Sequence, residues 1–335
     1  MEHTFLVITS IANQDNPVLN QFSKECATHN IPFIVIGDTK SPVNFELSGC
    51  DFYSVETQKQ LNFQLAKSLP FKHYARKNLG YLLAISKGAK VIIETDDDNL
   101  PLPAFWEQRT QAVNAHTLKN DGWVNVYKYF SDALIWPRGF ALEYLQKTLP
   151  ALQAQENILC PIQQGLADVN PDVDAIYRLI LPLPVSFNKA NSVALDENAY
   201  CPFNSQNTTW FAEAFPLLYL PTYCSFRMTD IWRSFIAQRI AWTCGWPILF
   251  HQSTVWQERN EHNLMHDFKD EISGYNNNAQ IMEALIALDL KKGQVNIAEN
   301  LRKCYKQLVD LLLVDEKEME LLEDWIVDLS NIIKA

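Results

Sequence analysis

The chain has 335 residues, 47% of them hydrophobic and 20% charged, and carries a formal net charge of −11. That balance specifies a globular core rather than a disordered chain, and an acidic chain with no basic run excludes nucleic acid as the main partner. Glu2 stands where a secretory leader would be basic, and no stretch reaches the roughly 18 apolar residues of a membrane helix. Seven scattered cysteines without a Cys-x-x-Cys pair indicate reduced thiols, so a soluble, cytoplasmic protein is expected.

Residues 4–14 form an apolar strand that ends in small polar residues, and residues 32–42 repeat the pattern after a segment of helical spacing. Strand, helix and strand at this distance predict a β-α-β unit with a parallel sheet and a right-handed crossover. Ligands of such sheets bind beyond the carboxyl ends of the strands. Thr9, Ser10, Ala12, Gly37 and Asp38 would therefore rim a crevice, although each alone also fits ordinary turn chemistry. Residues 71–90 have the apolar spacing of a helix packed on the sheet, with Lys72, Arg76 and Lys77 gathered at its start. Cations there oppose the helix macrodipole. Neutralisation of a diphosphate explains them, and so does a solvated basic face.

The most informative stretch spans residues 87–101, where the strand Val91-Ile92-Ile93 runs into Asp96, Asp97 and Asp98. Three carboxylates at the end of a buried strand are costly unless a cation or a helix N-terminus compensates. Mg²⁺ or Mn²⁺ suits carboxylate oxygens, with substrate phosphates completing the shell. Asp96 and Asp98 share a side if strand geometry persists. The competing expectation is that Asp98 or Asn99 caps a following helix.

Residues 124–145 look like an extended strand and a turn at Trp136-Pro137-Arg138-Gly139. Residues 162–179 interleave Gln163, Gln164, Asp168, Asp172 and Asp174 with apolar residues, a pattern that suits a sugar-hydroxyl site as well as a plain loop. Residues 200–242 are rich in aromatics and end in a helical run from Thr229, and the tryptophans here fit either a carbohydrate face or a core. After Gly274 amphipathic helices take over, without evident chemistry.

The order of these motifs is more specific than any one of them. RKNLGYLLAISKGAKVIIETDDDN, VNVYKYFSDALIWPRGFALE, PIQQGLADVNPDVDAIY and CPFNSQNTTWFAEAFPLLYLPTYCSFRMTDIWRSFIAQRIAW resemble the STELLO family of glycosyltransferases in sequence and in order. A more distant similarity links the chain to the reversibly glycosylated polypeptides, which are UDP-arabinopyranose mutases. Those also carry an aspartate triplet after a strand and an acidic-aromatic motif like Asp230-Ile231-Trp232. The resemblance implies an α/β, GT-A-type, Rossmann-like fold over residues 1–272, with a nucleotide-sugar half to about residue 100 and an acceptor half beyond it. Residues 273–335 would be a C-terminal helical appendage, the part the resemblance covers least.

For function the resemblance implies transfer of a sugar from a nucleotide-diphosphate sugar, UDP favoured, to a carbohydrate or glycan acceptor, assisted by Mn²⁺ or Mg²⁺. Asp96 and Asp98 would hold the metal, Arg76, Lys77 and Asp97 would serve the diphosphate, and Thr9, Ser10, Ala12 and Asp38 the nucleoside. Asp38 is placed for a base or ribose hydrogen bond. Members of the family carry a His soon after a Thr-Val pair; here Thr254-Val255 precedes Trp256, and His251 just upstream would take that place as a late metal or phosphate ligand. Asp230 is the first candidate for a general base in an inverting reaction, with N-capping as its structural alternative and Asp174 and Asp172 in reserve. Trp136, Gln164, Asp172 and Trp232 are the candidate acceptor contacts. Two alternatives stand beside transfer. Arg138 falls near the arginine that becomes glycosylated in the mutases, which suggests a mutase or self-glycosylating protein, with a structural ion pair as its plainer role. A non-catalytic scaffold that binds a partner through the C-terminal helices is the other.

Overall fold

The structure, a computed structural model, describes residues 3–189, 191–258 and 263–334. Its N-terminal strands are β1 (Thr4–Thr9), β2 (Phe33–Ile36), β3 (Asp51–Tyr53), β4 (Val91–Thr95) and β5 (Asn99–Pro101). Then follow β6 (Ala112–Leu118), β7 (Gly122–Trp123), β8 (Gln155–Leu159) and β9 (Ile162–Asp168). The last are β10 (Val193–Leu195), β11 (Ala199–Tyr200), β12 (Asn207–Phe211) and β13 (Ile248–Gln257). Helices α1 (Pro17–His29), α2 (Val55–Lys59), α3 (Gln64–Ser68) and α4 (Lys77–Ser86) serve the first strands. Helix α5 (Ala175–Ile180) and the long α6 (Thr229–Thr243) lie in the second half, and α7 (Leu264–Ala287), α8 (Ile297–Asp310) and α9 (Glu318–Lys334) follow it.

Eleven strands make one mixed sheet, ordered β3-β2-β1-β4-β12-β9-β13-β10-β6-β8 with β5 beside β13, while β7 and β11 form a separate pair. The first four strands are parallel. Their cores, such as Phe33-Ile34-Val35-Ile36, are buried on both faces because helices cover both sides. Helix α1 packs Leu19, Phe22 and Cys26 on one face with Leu6, Ile8 and Ile93. Helix α4 packs Leu79 and Leu82 on the other with Phe5, Val7 and Ile92. Beyond β4 the pairing is mixed: β12 runs antiparallel to both β4 and β9, whereas β9 with β13 and β10 with β6 are parallel. This mixed α/β, Rossmann-like sheet with a helical C-terminal region is the fold class expected from the sequence.

Two expectations are corrected. Residues 124–145 are not a strand: the chain runs through 3₁₀ turns at Val126–Tyr129 and Leu142–Tyr144. Val126, Tyr127, Phe130 and Ile135 are buried there one by one without a ladder, and a short apolar run does not distinguish the two outcomes. The boundary expected at residues 272/273 falls inside α7, and the C-terminal helices share the main core. Trp325 and Tyr305 are packed around Tyr219. The fully buried Glu318 accepts hydrogen bonds from the Tyr219 hydroxyl and the Thr222 and Tyr223 amides.

Candidate active site

The carboxyl ends of β1, β2 and β4 meet where the chain turns outward in opposite directions, the place where open α/β sheets bind ligands. A cleft lies there with two lobes. The first, about 360 Å³, is lined by Thr9, Ser10, Gly37, Asp38, His73 and Arg76. The second, about 430 Å³, holds Asp96, Asp97, Asp98, Arg138, Asp172 and Asp230. Thr9, Ile11, Tyr74, Asp97 and Phe226 border both, so the two are one continuous depression.

The aspartate triplet does not continue the strand. β4 ends at Thr95, residues 97–98 turn, and Asn99 re-enters the sheet as β5, paired with the end of β13. The alternation argument for Asp96 and Asp98 therefore fails, and so does the helix-cap alternative, because a strand follows rather than a helix. All three carboxylates face the cleft because a turn fans them out. Each is anchored by a different element. Asp96 accepts from Lys77 Nζ at 3.0 Å, and the same fully buried ammonium donates to the Thr95 carbonyl. Asp97 accepts from Ser10 Oγ at the end of β1, while its carbonyl accepts from Asn16, the N-cap of α1. Asp98 accepts from Gln257 Nε2 at 3.0 Å, at the end of β13. Desolvation pushes the Asp96 and Asp97 carboxyls up, opposed by Lys77 and by the Ser10 hydroxyl respectively.

The opposite wall is a buried charge cluster. Every guanidinium N–H of Arg138 is engaged: Nε with Asp172, Nη2 with Asp172 and Asp230, and Nη1 with Asp230 and the Arg227 carbonyl. Gly139 lets this turn close, since its φ is +85° and a Cβ there would lie 2.3 Å from Ile231 of α6. Asp230 also accepts from the Ser205 amide, and its own amide donates to the Tyr74 hydroxyl. Arg138 holds the Asp230 carboxyl well below the usual range despite burial, so Asp230 is a weak base. It lies in the first turn of α6 but the N-cap is Met228, so the capping role expected of it is taken by the ion pair. One turn on, Arg233 pairs with the fully buried Glu94 of β4, which also accepts from Tyr81 and Trp210. That strut ties α6 to the strand that carries the triplet.

The remaining sequence candidates are placed elsewhere. Asp174 caps α5 through the Tyr177 amide and accepts from Trp136 Nε1, with burial pushing its carboxyl up to about 6. Trp136, Trp232 and Gln164 are buried in the core; Trp232 donates to Asn278, and Gln164 accepts from the Asn204 amide. Neither these nor Asp174 lines the cleft, because the amides and indoles find partners inside the fold. The Ala12 amide donates to Ser10 Oγ, and Ala12 lines neither lobe. Arg76 reaches only the first lobe, away from the triplet. His251 lines a separate cavity of about 370 Å³ with Arg109, and burial and Arg109 push its imidazole down to about 4. It is not brought to the aspartates. Sequence reasoning missed His73, Tyr74, Ser205, Phe226 and Gln257; Ser205 and Phe226 sit in the aromatic-rich stretch of residues 200–242.

Residues 227–334 match the family model of STELLO glycosyltransferases. The chain is STELLO-like. Probable glycosyltransferase STELLO2 of Arabidopsis thaliana is 29% identical to it over 282 residues, 76% of this chain and 36% of that protein. Probable glycosyltransferase STELLO1 of the same plant is 28% identical over 250 residues, 66% of this chain and 32% of that protein. The chain thus spans about a third of the length of these relatives. The STELLO match runs from just before α6 through α9, so the C-terminal helices, expected to be the least covered part, lie within it. Among solved structures, a crystal structure of a mycobacterial protein is similar with a TM-score of 0.41 and 10% identity, over 84% of this chain and 73% of that one. No helix among the described residues is long and apolar enough to cross a membrane.

Proposed function

We propose that this chain is the catalytic core of a glycosyltransferase that takes a sugar from a nucleotide-diphosphate sugar and passes it to a carbohydrate or glycan acceptor. The observation that carries this is the two-lobed cleft, in which a nucleoside-sized lobe at the ends of β1 and β2 opens directly onto three carboxylates and a buried lysine. The STELLO likeness supports the same class of reaction.

The donor set suits Mn²⁺ or Mg²⁺. It consists of hard carboxylate oxygens on a turn, and each aspartate is held by a different neighbour. Among the described residues no three ligating side chains converge on one point. An ion there would be held by one or two carboxylates and completed by phosphate oxygens. Asp96 and Asp98 are the proposed ligands. When bound, the ion supplies Lewis-acid stabilisation of charge on the leaving diphosphate. Lys77 orients Asp96 and adds positive charge beneath it. Asp230, already ion-paired, is better suited to accept a hydrogen bond from a sugar hydroxyl than to remove its proton. Arg138 is saturated and protonated, which weighs against the self-glycosylating alternative.

Calorimetric titration of UDP, GDP, CMP and dTDP with and without Mn²⁺ tests the reading. One nucleotide is expected to bind in a metal-dependent way, and the Asp96→Ala/Asp98→Ala double variant to lose it. Equal binding by wild type and double variant would make the triplet structural and remove the centre of the proposal.

A further inference from the structure

On the strands of the second half, alternate side chains part company. Ile162, Ile248, Phe250, Val193 and Leu195 point into the main core. Ala115, Cys160, Ala194 and Leu249 form a small cluster of their own that contains no helix residue. On that second face lies the cavity of about 370 Å³ that holds His251, and no residue lining it lines either lobe of the cleft. Gly165, the ladder partner of His251, makes room for the imidazole: a Cβ there would lie 2.8 Å from the ring and 2.4 Å from the Asn207 amide. The register of β13 against β9 shifts after His251, a bulge of the kind that re-aims side chains. His251 Nδ1 donates to the Gln252 carbonyl at 3.0 Å, so the neutral ring keeps a lone pair on Nε2. Arg109 donates to Thr209 and to the Ala104, Phe105 and Glu107 carbonyls, which leaves one Nη2 proton over. The Gln108, Gln155 and Gln252 side chains also line the cavity and have no hydrogen-bond partner among the described residues. Each therefore offers a free carbonyl and a free NH₂.

Among the described residues that line the cavity only Glu107 and Arg109 are charged, and they cancel. A space without net charge, whose free groups both donate and accept, suits a ligand whose every group does both. Adjacent sugar hydroxyls meet that condition. A phosphate brings charge and mainly accepts, and an ammonium only donates. An extended peptide also does both, but it joins a sheet at an open strand edge, and β9, β13, β10 and β6 are interior strands paired on both sides. We propose that this cavity is a second saccharide-binding site, which takes an uncharged oligosaccharide through Gln108, Gln155, Gln252, His251 and Arg109. Thr254 lines it, and Gln257, three residues further along β13, holds Asp98, which is about 10 Å at the rise of a strand. The site goes beyond the transferase reading and stands whether or not the cleft takes a nucleotide.

The test is retention on a glycan array that carries short neutral oligomers of glucose, mannose, xylose and galactose beside oligogalacturonates. It is run with wild type and with Gln155→Ala/Gln252→Ala. Gln155 is exposed and Gln252 half-buried, and neither side chain is bonded to the fold, so the variant keeps its structure. Wild type is expected to retain at least one neutral oligomer. Titration with that oligomer should show the double variant at least about tenfold weaker, roughly the loss of one or two hydrogen bonds. If the variant binds it as tightly as wild type, the saccharide sits elsewhere and the proposal is wrong. Retention of oligogalacturonates alone would overturn the charge argument and the proposal with it, and so would retention of nothing. Nucleotide titration in Mn²⁺ keeps the two readings apart: if the oligomer binds and no nucleotide does, the cleft reading fails and this site stands.

Discussion

Arg138 grips Asp230 with two nearly parallel hydrogen bonds, 3.1 Å from Nη1 to Oδ1 and 3.0 Å from Nη2 to Oδ2, while the same guanidinium takes both oxygens of Asp172 at 2.8 Å. One buried cation therefore holds the buried Asp230 and the half-buried Asp172 and joins the Trp136–Gly139 turn to α6. Removing it strands both carboxylates. Arg138→Ala is expected to cost about 3–5 kcal/mol, the range for breaking a buried pair, read from urea denaturation. A loss under about 1 kcal/mol would mean the cluster is hydrated and its grip weak.

Stability should vary with pH in two opposite ways. Asp174 has a folded pKa raised to about 6 against roughly 3.9 for a free aspartate. Its contribution is therefore fully present below about pH 4 and lost as pH rises through 6. Asp230 is depressed in the folded state, so its contribution is present above about pH 4 and lost as pH falls further. Unfolding free energy should rise from pH 7 to about 5 and collapse below 4. Asp174→Asn should flatten the upper part of that curve. A wild-type profile with no rise between pH 7 and 5 would contradict the burial argument.

Lys77 is the fully buried lysine beneath the triplet, bonded to Asp96 and the Thr95 carbonyl. Lys77→Met keeps most of the volume and removes the charge, so the Asp96 carboxyl should rise further and hold its proton at higher pH. Metal-dependent nucleotide binding by this variant should then be weaker at pH 6 than at pH 8, by more than in wild type. Calorimetry at the two values gives the answer, and an unchanged pH ratio would separate Lys77 from the site.

Asp328 of α9 accepts the Gln64 and Leu65 amides at the start of α3, across most of the chain length. Asp328→Ala should cost about 1–2 kcal/mol, as loss of a helix cap does. Because α9 packs into the main core, the variant should still unfold in one cooperative step by both fluorescence and circular dichroism. Two separated transitions would mean that the C-terminal helices unfold as a unit of their own.

The first half of the fold was legible because it is local. β1, α1 and β2 announce themselves by apolar runs and helical spacing, and the crossover rule then fixes where Thr9, Ser10 and Asp38 emerge. The triplet was legible for a different reason, since three adjacent carboxylates after a buried strand are hard to satisfy by chance. Of the four acceptor candidates only Asp172 reaches the cleft. Trp136, Trp232 and Gln164 have side chains equally fit for a sugar or for a core partner, and Asn278, Asp174 and Asn204 lie far from them along the chain.

By itself the sequence determined the chain's class, the parallel strands, the strand end where a ligand would sit, and the carboxylates that face it. Only the tertiary structure decided which charges are left for chemistry. Arg138 brings Asp172 and Asp230 together across long stretches of chain and fills their hydrogen bonds, while His73 Nε2 and Arg76 Nη2 are buried with theirs empty. The physical reason is that hydrogen-bond satisfaction in a buried site is a property of three-dimensional neighbours. Residue type and spacing set what a side chain can donate or accept, and the packing of distant segments sets whether it already has.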